Sequence, residues 1–107
     1  MTDHELLKLS AKAMGFDLEY RRGSDAFHYD DPDSGREQWQ PLSDEGQAIR
    51  MAVHLQLSIL WFTNLRYVMV ERGGFGENIG WTDDADRCGA LCQAITVVAA
   101  QIGSTLP

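Results

Sequence analysis

Apolar and polar positions follow two different periods along this chain, and the places where the period changes mark its elements. From Thr2 through Met14, Leu6, Leu7, Ala11 and Met14 recur at helical spacing. Thr2 and Glu5 stand three apart, as in a capping box, and Gly15 sits where a left-handed C-cap belongs. A first helix is predicted there. Residues 17–40 read as short strands and turns. Asp17–Arg21 and Ala26–Tyr29 alternate aromatic and polar positions around Gly23-Ser24-Asp25. Asp30 to Gly35 is a turn-rich loop, and an extended piece through Gln38-Trp39-Gln40 ends at Pro41.

Ser43 is a good N-cap for a second helix, with Asp44 and Glu45 complementing its positive end. Ala48, Ile49, Ala52, Val53 and Leu55 form its apolar face. Gln56–Phe62 then reads as a strand apolar on both faces, Asn64 as a turn, and Arg66–Arg72 as the hairpin partner. Gly73-Gly74-Phe75-Gly76 makes a further turn, and Asn78–Trp81 a short third strand. Thr82 or Asp83 caps a last helix whose apolar positions, among them Cys88, Leu91, Cys92, Ile95 and Val98, step by three and four. Its other faces are also apolar or small, which places it in the core, covered on several sides. The pattern predicts a single α+β domain over residues 1–107. A small antiparallel sheet of about four to five strands packs with three helices, in the order α-β-β-α-β-β-(β)-α.

Composition agrees with a folded domain: 44% of residues are apolar and 23% charged, which excludes disorder. The N-terminus is acidic and no apolar run follows it, so no secretory signal is expected. The 20 residues from Cys88 to Pro107 carry no charge, but Gln93, Thr96 and Gln101 dilute the stretch and no base anchors its far end. A buried helix is expected there, with no membrane contact. Cys88 and Cys92 share a helix face whose geometry rarely permits a disulfide. They read as buried free thiols in a reducing setting, the cytoplasm.

Candidate chemistries fail on spacing. His4, His28 and His54 form no zinc pattern, so neither a metal nor any other cofactor is expected. Numbered from Asp31, the acidic loop has Arg36 where a calcium loop has its sixth-position Gly, and Leu42 where it has its twelfth-position Glu. The glycine-rich turn lacks the Lys-Ser/Thr of a phosphate cradle. The helix–strands–helix order of the C-terminal two-thirds has a superficial likeness to double-stranded RNA-binding domains. Those need a basic helix end, whereas this one begins Asp83-Asp84-Ala85-Asp86. A formal charge of −7 opposes direct nucleic-acid binding generally.

The run Trp39-Gln-Pro41-Leu42-Ser-Asp44-Glu-Gly46-Gln-Ala48-Ile-Arg50-Met-Ala52-Val53-His-Leu55 resembles the core motif of small accessory proteins encoded by tailed phages and prophages. The first helix and the closing Ala94-Ile95 to Ile102-Gly103 segment extend that resemblance to about half the chain. It implies a phage or prophage accessory protein and brings no catalytic or ligand residues. Physically, each motif residue has a folding role: Trp39 packs over the helix start, Pro41 fixes the approach, Ser43 or Asp44 caps, and Arg50 reaches neighbouring carboxylates.

The negative charge is concentrated. Nine acids and three bases lie between Asp17 and Glu45, so 29 residues hold −6 of the total −7. Tyr20, Phe27, Tyr29 and Trp39 are interleaved with them. Aromatic anchors in a steering field make a docking face for a basic surface. Its expected residues are Tyr20, Asp25, Phe27, Asp30, Asp31, Asp33 and Glu37, and the expected partner is a host or phage protein in the host cytoplasm. The competing arrangement is a solvated meander whose aromatics face the core. Two further readings stand beside a non-catalytic binder. One is a homodimer formed through the small residues Ala90/Ala94 and Ala99/Gly103 or the apolar hairpin 57–71. The other is a small enzyme with carboxylates gathered from distant positions.

Overall fold

Helix boundaries follow local capping chemistry in the computed structural model, which describes residues 1–107. Helix α1 spans Asp3–Met14. The Thr2 hydroxyl accepts from the Glu5 N–H at 3.2 Å, and Gly15 closes the helix at φ 75°, a value that favours glycine. Helix α2 spans Glu45–His54. Its cap is Asp44, whose carboxylate accepts from the Gln47 N–H at 3.0 Å; Ser43 belongs to the preceding turn. Helix α3 spans Arg87–Ser104. Asp83 caps a 3-10 turn at Asp84–Asp86 that leads into α3, so the cap foreseen for the helix serves the turn.

The strands form two sheets, where one was expected. Sheet A joins β1 (Glu19–Arg21), β2 (Ala26–Asp31) and β3 (Gly35–Gln38) as an antiparallel meander. Sheet B joins β4 (Ser58–Phe62), β5 (Tyr67–Arg72) and β6 (Phe75–Gly80) in the same way. The order is therefore α-βββ-α-βββ-α. Two strands account for the difference. Gly35, at φ 84°, lets the acidic turn close tightly enough for Gly35–Gln38 to pair back on β2. The glycine-rich turn uses only Gly73 and Gly74, so Phe75 already pairs with Arg72. Helix α2 then separates the two meanders, and no strand bridges them.

As its apolar perimeter predicted, α3 lies at the centre, packed on α1, α2, β5 and β6. The small residues that could have served a homodimer are used within the chain. Ala90, Ala94, Ala99 and Gly103 are all buried. A Cβ on Gly103 would stand 1.9 Å from the Leu9 carbonyl oxygen, so glycine there sets the close α1–α3 crossing. Cys92 is buried, and burial pushes its thiol pKa up; Cys88 is exposed, contrary to expectation, because α3 starts only one residue before it. No helix is long and apolar enough to cross a membrane.

Sheet A is held to the helices by rings. Trp39, directly after β3, enters the core with its indole N–H donating to the Leu7 carbonyl at 3.0 Å and the Ser10 hydroxyl at 3.2 Å. Phe16 stacks on Tyr29 with centroids 4.5 Å apart, and both meet Trp39 edge-on. The buried Gln47 side chain donates to the Gln38 carbonyl and accepts from the Gln40 N–H, both at 2.7 Å, tying α2 to the end of β3.

Candidate functional site

Strand alternation decides which side of sheet A each acidic or aromatic residue occupies. The register pairs Tyr20 with Phe27 and Tyr29 with Glu37 on the side facing the core. It pairs Glu19 with His28, His28 with Gln38, and Asp30 with Arg36 on the other. The expected mixture of acids and aromatics on one face is thereby only partly separated: Glu19 and Asp30 take the outer face, while Glu37 and Asp31 stay on the side of the rings. Phe27 is only 5% exposed, and Tyr29 and Trp39 are buried beside it. Tyr20 alone among these aromatics reaches solvent, at 43%.

The seven expected docking residues divide between the two ends of the sheet. At the β1–β2 turn, the Tyr20 hydroxyl donates to the Asp25 carboxylate, which raises the phenol pKa. His4 Nε2 lies 3.7 Å from the same carboxylate, and Phe27 lies beneath the His4 and Tyr20 rings. At the β2–β3 turn stand Asp30, Asp31, Asp33 and Glu37. Asp31 accepts from the Asp33 N–H at 2.8 Å and the Ser34 N–H at 3.1 Å, and these bonds hold its pKa below the ordinary carboxylate value. Glu37 accepts from the Ser34 hydroxyl at 2.8 Å and the Tyr29 hydroxyl at 3.1 Å. Burial and that second bond push the Tyr29 pKa up to about 12.

Arg36, on the outer face, donates to Asp30 at 3.1 Å and also to Glu19. These two carboxylates in turn raise its own pKa. Arg36 thus serves two acids, of which Glu19 also meets Arg21 at 3.6 Å, while Asp33 has no ion-pair partner. The β2–β3 end carries the unbalanced charge.

Asp31, on the core-facing register, overhangs a hollow of about 210 Å³. Phe16, Tyr29 and Trp39 line it, and Arg50 and His54 contribute from α2. Sequence reasoning assigned the latter two no part in a site, although four residues apart on one helix they share a face. Arg50 makes no salt bridge; the carboxylate contact expected of it is replaced by a place in the lining of the hollow that Asp31 also borders. A larger open groove of about 930 Å³ lies between the Arg66–Trp81 end of sheet B and the start of α3, beside Cys88. No three His, Cys, Asp or Glu side chains come together in a way that could hold a metal ion. In comparisons with protein families, curated proteins and solved structures, the chain matches none.

Proposed function

We propose that this is a non-catalytic binding protein of the phage and prophage accessory kind, which docks a basic surface of a host or phage protein on the acidic end of sheet A in the host cytoplasm. The observation that carries the reading is the β2–β3 hairpin end. Asp30, Asp31 and Asp33 project there with Arg36 as the hairpin's only base, and Arg36 is shared with Glu19. The Asp30 side chain is 81% exposed. Recognition through such a surface is governed by charge: it speeds encounter and weakens with salt. Phe27 supports the sheet from below, and Tyr20 with Asp25 offers a secondary contact at the opposite turn. A basic partner is also what separates this reading from direct binding of nucleic acid, whose phosphates the same field repels.

The test compares the native chain with a variant carrying Asp30→Lys, Asp31→Asn and Asp33→Lys as bait in phage-infected bacterial lysate. Asparagine at 31 retains an oxygen acceptor for the turn. A basic protein should be captured by the native chain, lost from the variant, and released as salt rises from about 0.05 to about 0.5 M. Equal capture by both, with the variant folded by circular dichroism, would overturn the proposal.

A further inference from the structure

Four strand edges end the two sheets, and three are protected. β1 carries Glu19 and Arg21, and β3 carries Arg36 and Glu37, charges that disfavour addition of another strand. The outer side of β6 is occupied by Gln101, which donates to the Gly76 carbonyl and accepts from the Gly76 N–H, both at 3.1 Å. β4 has no such device. Ser58-Ile59-Leu60-Trp61-Phe62 contains neither charge nor proline, and its backbone makes no hydrogen bond outside the ladder to β5. In an antiparallel ladder the other half of an edge strand's N–H and C=O groups point away, ready to pair.

Side chains on both faces of this edge are also uncovered. Leu60 is 42% and Trp61 47% exposed, and Leu65 in the following turn is 71% exposed. Phe62 stacks on Tyr67 on the outer face, centroids 4.6 Å apart, with Leu60 opposite Met69 beside them.

We infer that β4 is a self-association edge that pairs antiparallel with β4 of a second copy, joining two B sheets into one of six strands. Three features select a second copy as the occupant. First, the strand complements itself about Leu60. Antiparallel pairing sets Leu60 against its own copy, Ile59 against Trp61 and Ser58 against Phe62, a small or branched residue beside each large ring, as a two-fold interface requires. Second, no charged residue occurs from Leu55 through Leu65, so two chains of net charge −7 can meet here without burying a charge. A basic partner would gain nothing from this edge and is directed instead to sheet A. Third, the bare backbone edge and the exposed Leu60 and Trp61 side chains on its two faces are contiguous, so one contact would satisfy the strand's free N–H and C=O groups and cover apolar surface together. This association is independent of the docking proposed for sheet A, which lies on other strands.

Sedimentation velocity from about 1 to about 500 µM tests it. The mass should rise from 12.0 kDa towards twice that value. Leu60→Lys sets two ammonium groups face to face at the two-fold axis and should weaken the dimer at least tenfold. Val53→Lys, at a still more exposed apolar position on α2, should leave it unchanged. In a Cys88→Ser background, Leu60→Cys should oxidise to a covalent dimer, because directly paired antiparallel residues stand about 4.5–5.5 Å apart at Cα, within disulfide reach. A monomer throughout the range would overturn the inference. A dimer indifferent to Leu60→Lys, or cross-linking at a Val53→Cys control instead of at position 60, would do the same.

Discussion

Sheets A and B share a topology, each a three-stranded antiparallel meander that leads into a helix, yet they are attached and finished in opposite ways. In sheet B, β5 and β6 lie close on α3, and the short side chains of Val68 and Val70 are fully buried. Sheet A stands further from the helices, and Phe27, Tyr29 and Trp39 fill the space. Their outer faces differ as well. Sheet A presents Glu19, Asp30 and Arg36 to water, whereas sheet B presents Leu60, Phe62, Tyr67 and Met69. The contrast separates two properties that coincide in the sequence of residues 17–45. The aromatic rings there attach the sheet, while most of the carboxylates reach water, so the docking proposed for sheet A rests on charge. In sheet B the apolar side chains exceed what α3 can cover, and the surplus lies on the outer face and along the bare β4 edge.

If rings hold sheet A, the largest effect comes from removing the central one. Trp39→Ala should cost about 3–5 kcal/mol in denaturant unfolding, through the lost ring and the cavity left behind. Amides of β2 and β3 should lose exchange protection while those of β5 keep most of theirs. Equal loss in both sheets would show that the two attachments are not separable. Gly103→Ala comes next. Alanine ordinarily favours a helix interior by about 1 kcal/mol, but here its methyl meets the Leu9 carbonyl and α1 must move away, with a net loss of about 3 kcal/mol. Because the Leu7 carbonyl and Ser10 on α1 hold Trp39, that loss should also reach sheet A. Gly89→Ala, on the same helix with open space at its Cβ, should instead stabilise by about 0.5–1 kcal/mol.

These contrasts also explain what could be read from the sequence. Helical spacing with Thr2 and Gly15 marked α1, and the apolar perimeter of residues 88–102 marked a central α3, because both signals are local. The division into two sheets was not local. It depends on Gly35 returning β3 to β2 and on Phe75 pairing with Arg72, partners chosen by turns only two or three residues long. The acidic residues were visible as a cluster, but their mixture with Tyr20, Phe27 and Tyr29 concealed the alternation that puts all three rings on the core-facing side, where Phe27 and Tyr29 are buried and Tyr20 is not. Arg50 and His54 showed no signal as wall residues of a hollow, since Asp31 and the rings that share that lining are on other elements. β4 was legible as apolar on both faces; that nothing covers its edge appears only once all four edges are compared.

Tyr29 provides the finest probe of the difference between the sheets, since its ring belongs to the attachment and its hydroxyl to the acidic surface. Tyr29→Phe keeps the stack on Phe16 and removes the bond to Glu37, so the expected loss near neutral pH is small, about 1 kcal/mol. The pH dependence carries more information. An unfolded tyrosine titrates near pH 10, whereas Tyr29 in the folded chain is raised to about 12, so the folded state binds this proton more tightly. Its contribution to stability is complete below about pH 10 and disappears as pH rises through about 12. The gap between native chain and variant should therefore close and then reverse over that window, first for the amides of sheet A. A gap that stays constant to pH 12 would mean that the hydroxyl is solvated and that the ring alone joins the acidic strands to the core.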